Sequence, residues 1–214
     1  MRNVKVLQML EDGKVDELKA ELRDEIYKDS LKQKPDVKRR YTAMKKYFYY
    51  HTSERECLKK PYKIMFEGKP YTSFTNSWSL VLTTEDTGEM ELFDNENDKY
   101  PDVGRLVNFN GIKRKVDLNA VFAEAKCRGY KLTKKEVGPG FRYVMRYDGT
   151  YYKIGLLEST FALIDDGEPA MVYHPDGKRQ PITIQTSVGI CVIMPVYIED
   201  DHDVEAERII DIEL

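Results

Sequence analysis

Residues 141–163 read FRYVMRYDGTYYKIGLLESTFAL, and this stretch decides the fold class. Phe141–Tyr147 and Thr150–Ile154 are rich in aromatic and β-branched residues. They flank Asp148-Gly149, a pair suited to the positive φ angles of a two-residue hairpin turn. Directly behind the hairpin, Leu156–Leu163 forms a short apolar helical segment. Three more strands are expected at Ala170–His174, Pro181–Thr186 and Gly189–Tyr197, with Pro175-Asp176-Gly177 and Ser187-Val188-Gly189 as the turns between them. A helix backing a run of antiparallel strands indicates an α+β design.

Upstream, helix followed by strands occurs again. Val15, Leu18, Leu22 and Ile26 recur at helical spacing within a helical region of residues 1–35. Asp12-Gly13 is expected to break this region into two helices, and Pro35 to close it. Asp36 is placed to cap the next helix, which runs from Val37 to about Glu56 with Tyr41, Met44, Tyr47 and Phe48 along one side. Tyr62–Glu67 and Pro70–Phe74 then read as a hairpin around Gly68, and Ser79–Thr84 as a further strand. The segment from Glu85 to Lys99 is acidic and mobile in character. Ile112–Val116 is strand-like, and Asp117 is placed to cap a helix bearing Leu118, Val121, Phe122 and Ala125.

The 214 residues allow one large domain or two small ones. Charged residues make up 33% of the chain and the net charge is −3, so the molecule as a whole is not built to bind a polyanion. The charge is nevertheless uneven. Asp36–Lys63 carries nine Lys/Arg against three acids, whereas Glu85–Asp102 and Glu199–Leu214 each carry eight acids against one base. A basic segment between acidic ones can face nucleic acid while the rest repels it. The three cysteines (57, 127 and 191) show neither metal spacing nor a disulfide framework. The N-terminus has no signal-peptide pattern, and no stretch approaches the ~18 apolar residues of a membrane span, so a soluble, cytoplasmic protein is expected.

Four strings carry a family resemblance. Val192-Ile193-Met194-Pro195-Val196-Tyr197 resembles the closing strand of bacterial DNA polymerase sliding clamps, a hydrophobic run followed by M-P-M-R-L. Tyr100-Pro101-Asp102-Val103-Gly104-Arg105-Leu106 is similar to the clamp segment F-P-D-Y-R-R-V. Phe74–Leu80 resembles A-T-D-G-x-R-L, and Tyr151–Leu163 resembles the helix F-N-x-x-Y-L-x-x-A-L. The likeness covers roughly residues 62–197. It implies a clamp-like α+β region at 36–198, between an N-terminal helical extension (1–35) and an acidic C-terminal tail (199–214).

In clamps the first three strings converge on a hydrophobic pocket for short peptide motifs of polymerases and other replication and repair proteins. The resemblance therefore places Thr75, Leu80, Pro101, Arg105, Leu106, Met194, Pro195 and Val196 around a peptide site. It also implies contact with double-stranded DNA through basic helices. The candidates are Lys38, Arg39, Lys45 and Lys46 on one helix, with Lys126 and Arg128 in a second cluster. The implied function is a non-catalytic replication accessory or partner-binding protein, in a compact form that suits a phage or mobile element. Two alternatives stay open: a nucleic-acid-binding protein that keeps the clamp-like fold, and a scaffold with no DNA role.

No cofactor or metal is expected. His51, His174 and His202 are dispersed, the acids of 85–98 lack the ligand order of a calcium loop, and Gly138-Pro139-Gly140 is no phosphate loop. Trp78 is expected in the core, and His174 on the surface before its turn. Tyr47–Tyr50 is expected to form a buried seam rather than a nucleobase platform. The apolar end of the tail, Ile209–Leu214, is expected either to dock in a pocket of this chain or a neighbour, or to add a helix or strand, or to be disordered.

Overall fold

Strands β3 (Ser79–Thr83) and β9 (Gly189–Ile193) pair antiparallel at the centre of the molecule, with Val81 opposite Cys191. Around this pair the computed structural model, which describes residues 2–50, 55–88, 90–94, 100–177, 179–198 and 205–211, arranges two similar units. One is helix α3 (Pro35–Tyr50) followed by β1 (Tyr62–Phe66), β2 (Lys69–Thr75) and β3. The other is helix α6 (Ile154–Phe161) followed by β7 (Ala170–His174), β8 (Ile182–Gln185) and β9. With β4 (Ile112–Val116) they form a seven-stranded sheet in the order β1-β2-β3-β9-β8-β7-β4.

The hairpins that lead into β3 and β9 match in detail. Asn76 N–H donates to the Ser79 carbonyl at 3.2 Å, and Thr186 N–H to that of Gly189 at 2.9 Å. Asn76 Oδ1 accepts from the amides of Trp78 and Ser79, just as Thr186 Oγ1 accepts from those of Val188 and Gly189. The central pair closes with reciprocal bonds, Thr84 N–H to the Val188 carbonyl at 3.0 Å and Met194 N–H to the Trp78 carbonyl at 2.9 Å. The molecule is thus locally pseudo-twofold about Val81 and Cys191.

A smaller sheet has the order β10-β5-β6, with β5 (Val144–Tyr147) and β6 (Thr150–Lys153) forming the hairpin read from Asp148-Gly149. Both turn residues have positive φ, 48° and 71°, as does the Glu67-Gly68 turn of β1–β2. Strand β10 (Ile209–Asp211) comes from the acidic tail and lies parallel to β5, with Ile210 fully buried. The tail thus adds a strand, while residues 212–214 lie outside the described residues.

Three helical features differ from the sequence reading. Pro35 begins α3 rather than ending the preceding region, since its missing N–H costs nothing at a first helical position. Helix α3 is described as far as Tyr50 and does not run on to Glu56, which begins a separate 3-10 turn (Glu56–Leu58) after an extended Arg55. Residues 51–54 lie outside the described residues. A single turn, α5 (Lys134–Val137), had no periodic signal to announce it. It packs against α6 at Gly155, where a Cβ would come within 2.7 Å of the Glu136 carbonyl group. Helix α4 (Leu118–Cys127) starts as expected, with the Asp117 side chain accepting from Ala120 N–H at 3.0 Å. The N-terminal pair α1 (Arg2–Glu11) and α2 (Val15–Ser30) breaks at Gly13, with φ 72°.

The two faces of the large sheet serve different partners. Phe74, Val81, Ile182, Ile184, Cys191 and Ile193 face the main core, which includes residues of α3, α4 and α6. Helix α6 is buried on nearly all sides, as expected of a helix apolar all round. On the opposite face Leu80, Leu82, Ile190 and Val192 form a second cluster, covered by Tyr100, Val103, Leu106, Val107 and Phe109. Period-two alternation in β3 and β9 sends neighbours to opposite faces. Both strands are therefore buried throughout.

Candidate functional site

The three strings that resemble the clamp pocket meet around the β3–β9 junction. Thr75 ends β2 opposite Leu80 and is buried, its Oγ1 donating to the Ser79 carbonyl at 2.9 Å. Leu80 is only 2% exposed and faces Val192 across the strand pair. Leu106 packs half-buried against the same cluster. Met194, just past β9, is half-buried and held to the hairpin tip by its bond to Trp78. Pro101 lines an open cavity of about 410 Å³ on this face, with Tyr62, Ile64, Phe66 and Tyr100 among its walls. The Tyr100 ring stacks on Tyr62 at 4.6 Å and its hydroxyl donates to Ser73 Oγ at 2.9 Å, fixing the segment to the sheet. Burial raises the pKa of that hydroxyl well above the ordinary tyrosine value.

The remaining candidates diverge. Arg105 is exposed and pairs with Asp102 at 3.1 Å, within its own 3-10 turn. Pro195 is half-buried. Val196 leaves the large sheet, bridges to Tyr151 and packs with Val144 and Ile209. Sequence reasoning missed Val192, Val103 and Tyr100. The signal for Val192 is the alternation of Ile190 and Val192 opposite Leu82 and Leu80, visible only once the β3–β9 register is known, whereas Val103 and Tyr100 have no local signal.

The basic candidates divide as well. Lys38, Arg39 and Lys46 line a cleft of about 460 Å³ between α3 and α6, floored by Ala43, Tyr50, Leu132 and Ala162. Arg39 is engaged there with Asp165 at 3.2 Å. Lys45 lies by Asp24 at 3.5 Å, Lys126 pairs with Glu158 at 2.6 Å, and Arg128 pairs with Glu124. The neighbouring Arg40 is buried, donating to Glu85 and, at 2.9 Å, to the Asp165 carbonyl. It ties α3 to the chain that leaves β3.

Two surface expectations are corrected. Trp78 is 57% exposed, because it stands on a hairpin tip where Ser77 adopts φ 74°. His174 is 1% exposed instead of lying on the surface, enclosed by Tyr147 and Tyr152. The Tyr47–Tyr50 run divides: Tyr47 is fully buried, Phe48 and Tyr50 pack against the core, and Tyr49 is exposed. Among the described residues no group of three His, Cys, Asp or Glu side chains is arranged to hold a metal ion. No helix among them is long and apolar enough to cross a membrane.

The architecture is a clamp-like α+β fold, in which helices back largely antiparallel sheets. DNA polymerase III subunit beta from Borrelia burgdorferi, solved in complex with a natural product, superposes with a TM-score of 0.52 at 12% identity. The match covers 76% of this chain and 62% of that one, so the chain spans less than two thirds of the protein it resembles. No family model and no curated protein sequence matches the chain.

Proposed function

We propose that this chain is a non-catalytic, clamp-like accessory protein of DNA replication that docks short apolar peptide motifs beside the β3–β9 junction. The observation that carries this reading is the meeting of three separated strings there. Leu80 and Leu106 share one apolar cluster at the junction, Met194 is bonded to the adjoining hairpin tip, and Pro101 lines an open cavity on the same face of the sheet. Each aliphatic or aromatic anchor fully buried on such a surface is worth about 1.5–3 kcal/mol. Met194 brings a side chain that adapts to varied ligands. The fold-level likeness to a polymerase III subunit supports a polymerase or another replication protein as the source of the peptide.

Titration of a fluorescein-labelled clamp-binding peptide from a polymerase tests the reading. Saturable binding that is weakened at least about tenfold by Leu106→Ala or Met194→Ala is expected. Absence of binding to the folded wild-type chain refutes it.

The cleft between α3 and α6 favours a second reading, contact with duplex DNA. Lys38 and Lys46 line it, and among the described residues neither ammonium pairs with a carboxylate, unlike those of Lys45 and Lys126. Binding should then fall with salt, and Lys38→Glu with Lys46→Glu should lower the slope of log K against log salt by about 0.9 per lost phosphate contact. A scaffold with no DNA role remains if both assays fail.

A further inference from the structure

A cavity of about 280 Å³ opens on the main-core side of the Trp78 hairpin, where α6, the α5 turn and the end of α3 approach it. Its walls include Asn76, Trp78, Lys134, Pro139, Lys153 and Leu156. Two ammonium groups border it, and no carboxylate among the described residues does.

Lys153 is the unusual member. It ends β6, immediately before α6, and is only 8% exposed. Its Nζ donates to the Gly138 carbonyl at 3.1 Å and lies 5.5 Å from the Trp78 ring centroid and 4.8 Å from that of Phe141. No carboxylate among the described residues comes within ion-pairing distance of it. Lysines are almost never this buried without an opposite charge, because removing an ammonium from water is costly. Two ring faces and one carbonyl offset part of that cost, yet the ammonium has three N–H donors. Burial accordingly lowers the pKa of Lys153 from its ordinary value.

We propose that Lys153, under Trp78, forms a carboxylate-selecting subsite that takes an acidic side chain of a docked peptide. The subsite rests on the peptide-docking reading above. Trp78 connects the two surfaces, since its carbonyl holds Met194 while its ring covers Lys153. An acidic side chain fits the chemistry better than a nucleic-acid phosphate. The ammonium is recessed behind Trp78, where the convex backbone of a duplex does not reach and a single carboxylate on a flexible stem does. The apolar walls Pro139 and Leu156 suit the methylenes of that stem. Lys134, its Nζ over the Tyr49 ring at 4.1 Å, adds positive potential at the rim.

Trp78 is the only tryptophan in the chain, so its fluorescence reports the cavity directly. Two peptides with the same Leu and Phe anchors, one carrying Glu and the other Gln, are titrated against the intact chain. The Glu peptide should bind about tenfold tighter, equivalent to about 1.4 kcal/mol. The advantage should fall below about twofold in Lys153→Gln and persist in Lys153→Arg, with the Gln peptide bound alike by all three proteins. The comparison in the wild-type chain stands even if Lys153→Gln fails to fold. Equal affinity for the two peptides overturns the carboxylate assignment and leaves peptide docking intact, whereas no binding by either overturns both. A single-stranded oligonucleotide that quenches Trp78 and displaces the Glu peptide at lower concentration also overturns it, in favour of nucleic acid.

Discussion

Leu80 and Val192 face each other across the β3–β9 pair and share one apolar cluster, although they belong to strands far apart in the sequence. Each is almost fully buried. Leu80 is therefore a core residue that shapes the proposed peptide surface from beneath, whereas Met194 and Leu106 lie closer to solvent.

The two levels should separate experimentally. Leu80→Ala is expected to cost about 2–5 kcal/mol of stability by opening a cavity under the sheet. Met194→Ala, at a half-buried site, should cost about 1 kcal/mol and act mainly on peptide affinity. Chemical denaturation with circular dichroism, run beside the peptide titration, measures both. A Leu80→Ala protein with unchanged stability would contradict the packing described.

Arg40 and Glu85 form a largely buried pair, with the guanidinium also bonded to the Asp165 carbonyl. Arg40→Met leaves Glu85 uncompensated and should cost about 3–5 kcal/mol. Adding Glu85→Leu should recover part of the loss, because the stranded charge is gone. A double-mutant cycle in urea gives the coupling.

His174 should make the fold acid-sensitive. Among the described residues neither ring nitrogen makes a well-formed hydrogen bond, and Asp148 Oδ2 lies 3.4 Å from Nδ1. Burial lowers the pKa of His174 below its ordinary 6.5, against the opposing pull of Asp148 and Asp176. A histidine depressed in the folded state takes up its proton more readily when unfolded. Stability is then intact above about pH 6.5 and declines as pH falls through the lowered folded value. Thermal melts from pH 7.5 to 5 should show this decline, and His174→Phe should flatten it.

The N-terminal helices offer a contrast between two residues of one periodic stripe. Leu18 is 7% exposed, whereas Ile26 is 70% exposed. Ile26→Lys should change stability by no more than about 0.5 kcal/mol. Leu18→Ala should cost about 2 kcal/mol or more and loosen α1 from α2. Hydrogen exchange of the α2 amides distinguishes the two outcomes.

Much of the α+β plan was legible in local chemistry. Asp148-Gly149 and Gly68 mark hairpins because few residues accept positive φ, and Asp117 marks a helix start because its side chain satisfies an amide there. The helical spacing of Val15, Leu18, Leu22 and Ile26 announced α2, and alternation or apolar runs announced most strands. Such signals act over a few residues and do not depend on what the chain meets later. They also explain the misreadings. Helical spacing marks an apolar stripe on α2 but not that Leu18 would be buried while Val15, Leu22 and Ile26 stay exposed.

Long-range register was beyond the reach of those signals. Nothing in the local sequence says that Val81 pairs with Cys191, that the 100–109 segment covers the second face of the sheet, or that Ile210 returns to lie parallel to β5. The same holds for burial at the ends of elements. His174 is enclosed because the β5–β6 hairpin folds over it, and Trp78 is exposed because its turn projects it outward. Local propensity determined which elements form. The pairing of strands distant in sequence, chosen by which faces bury the most apolar area together, decided which side chains became core, cavity wall or surface.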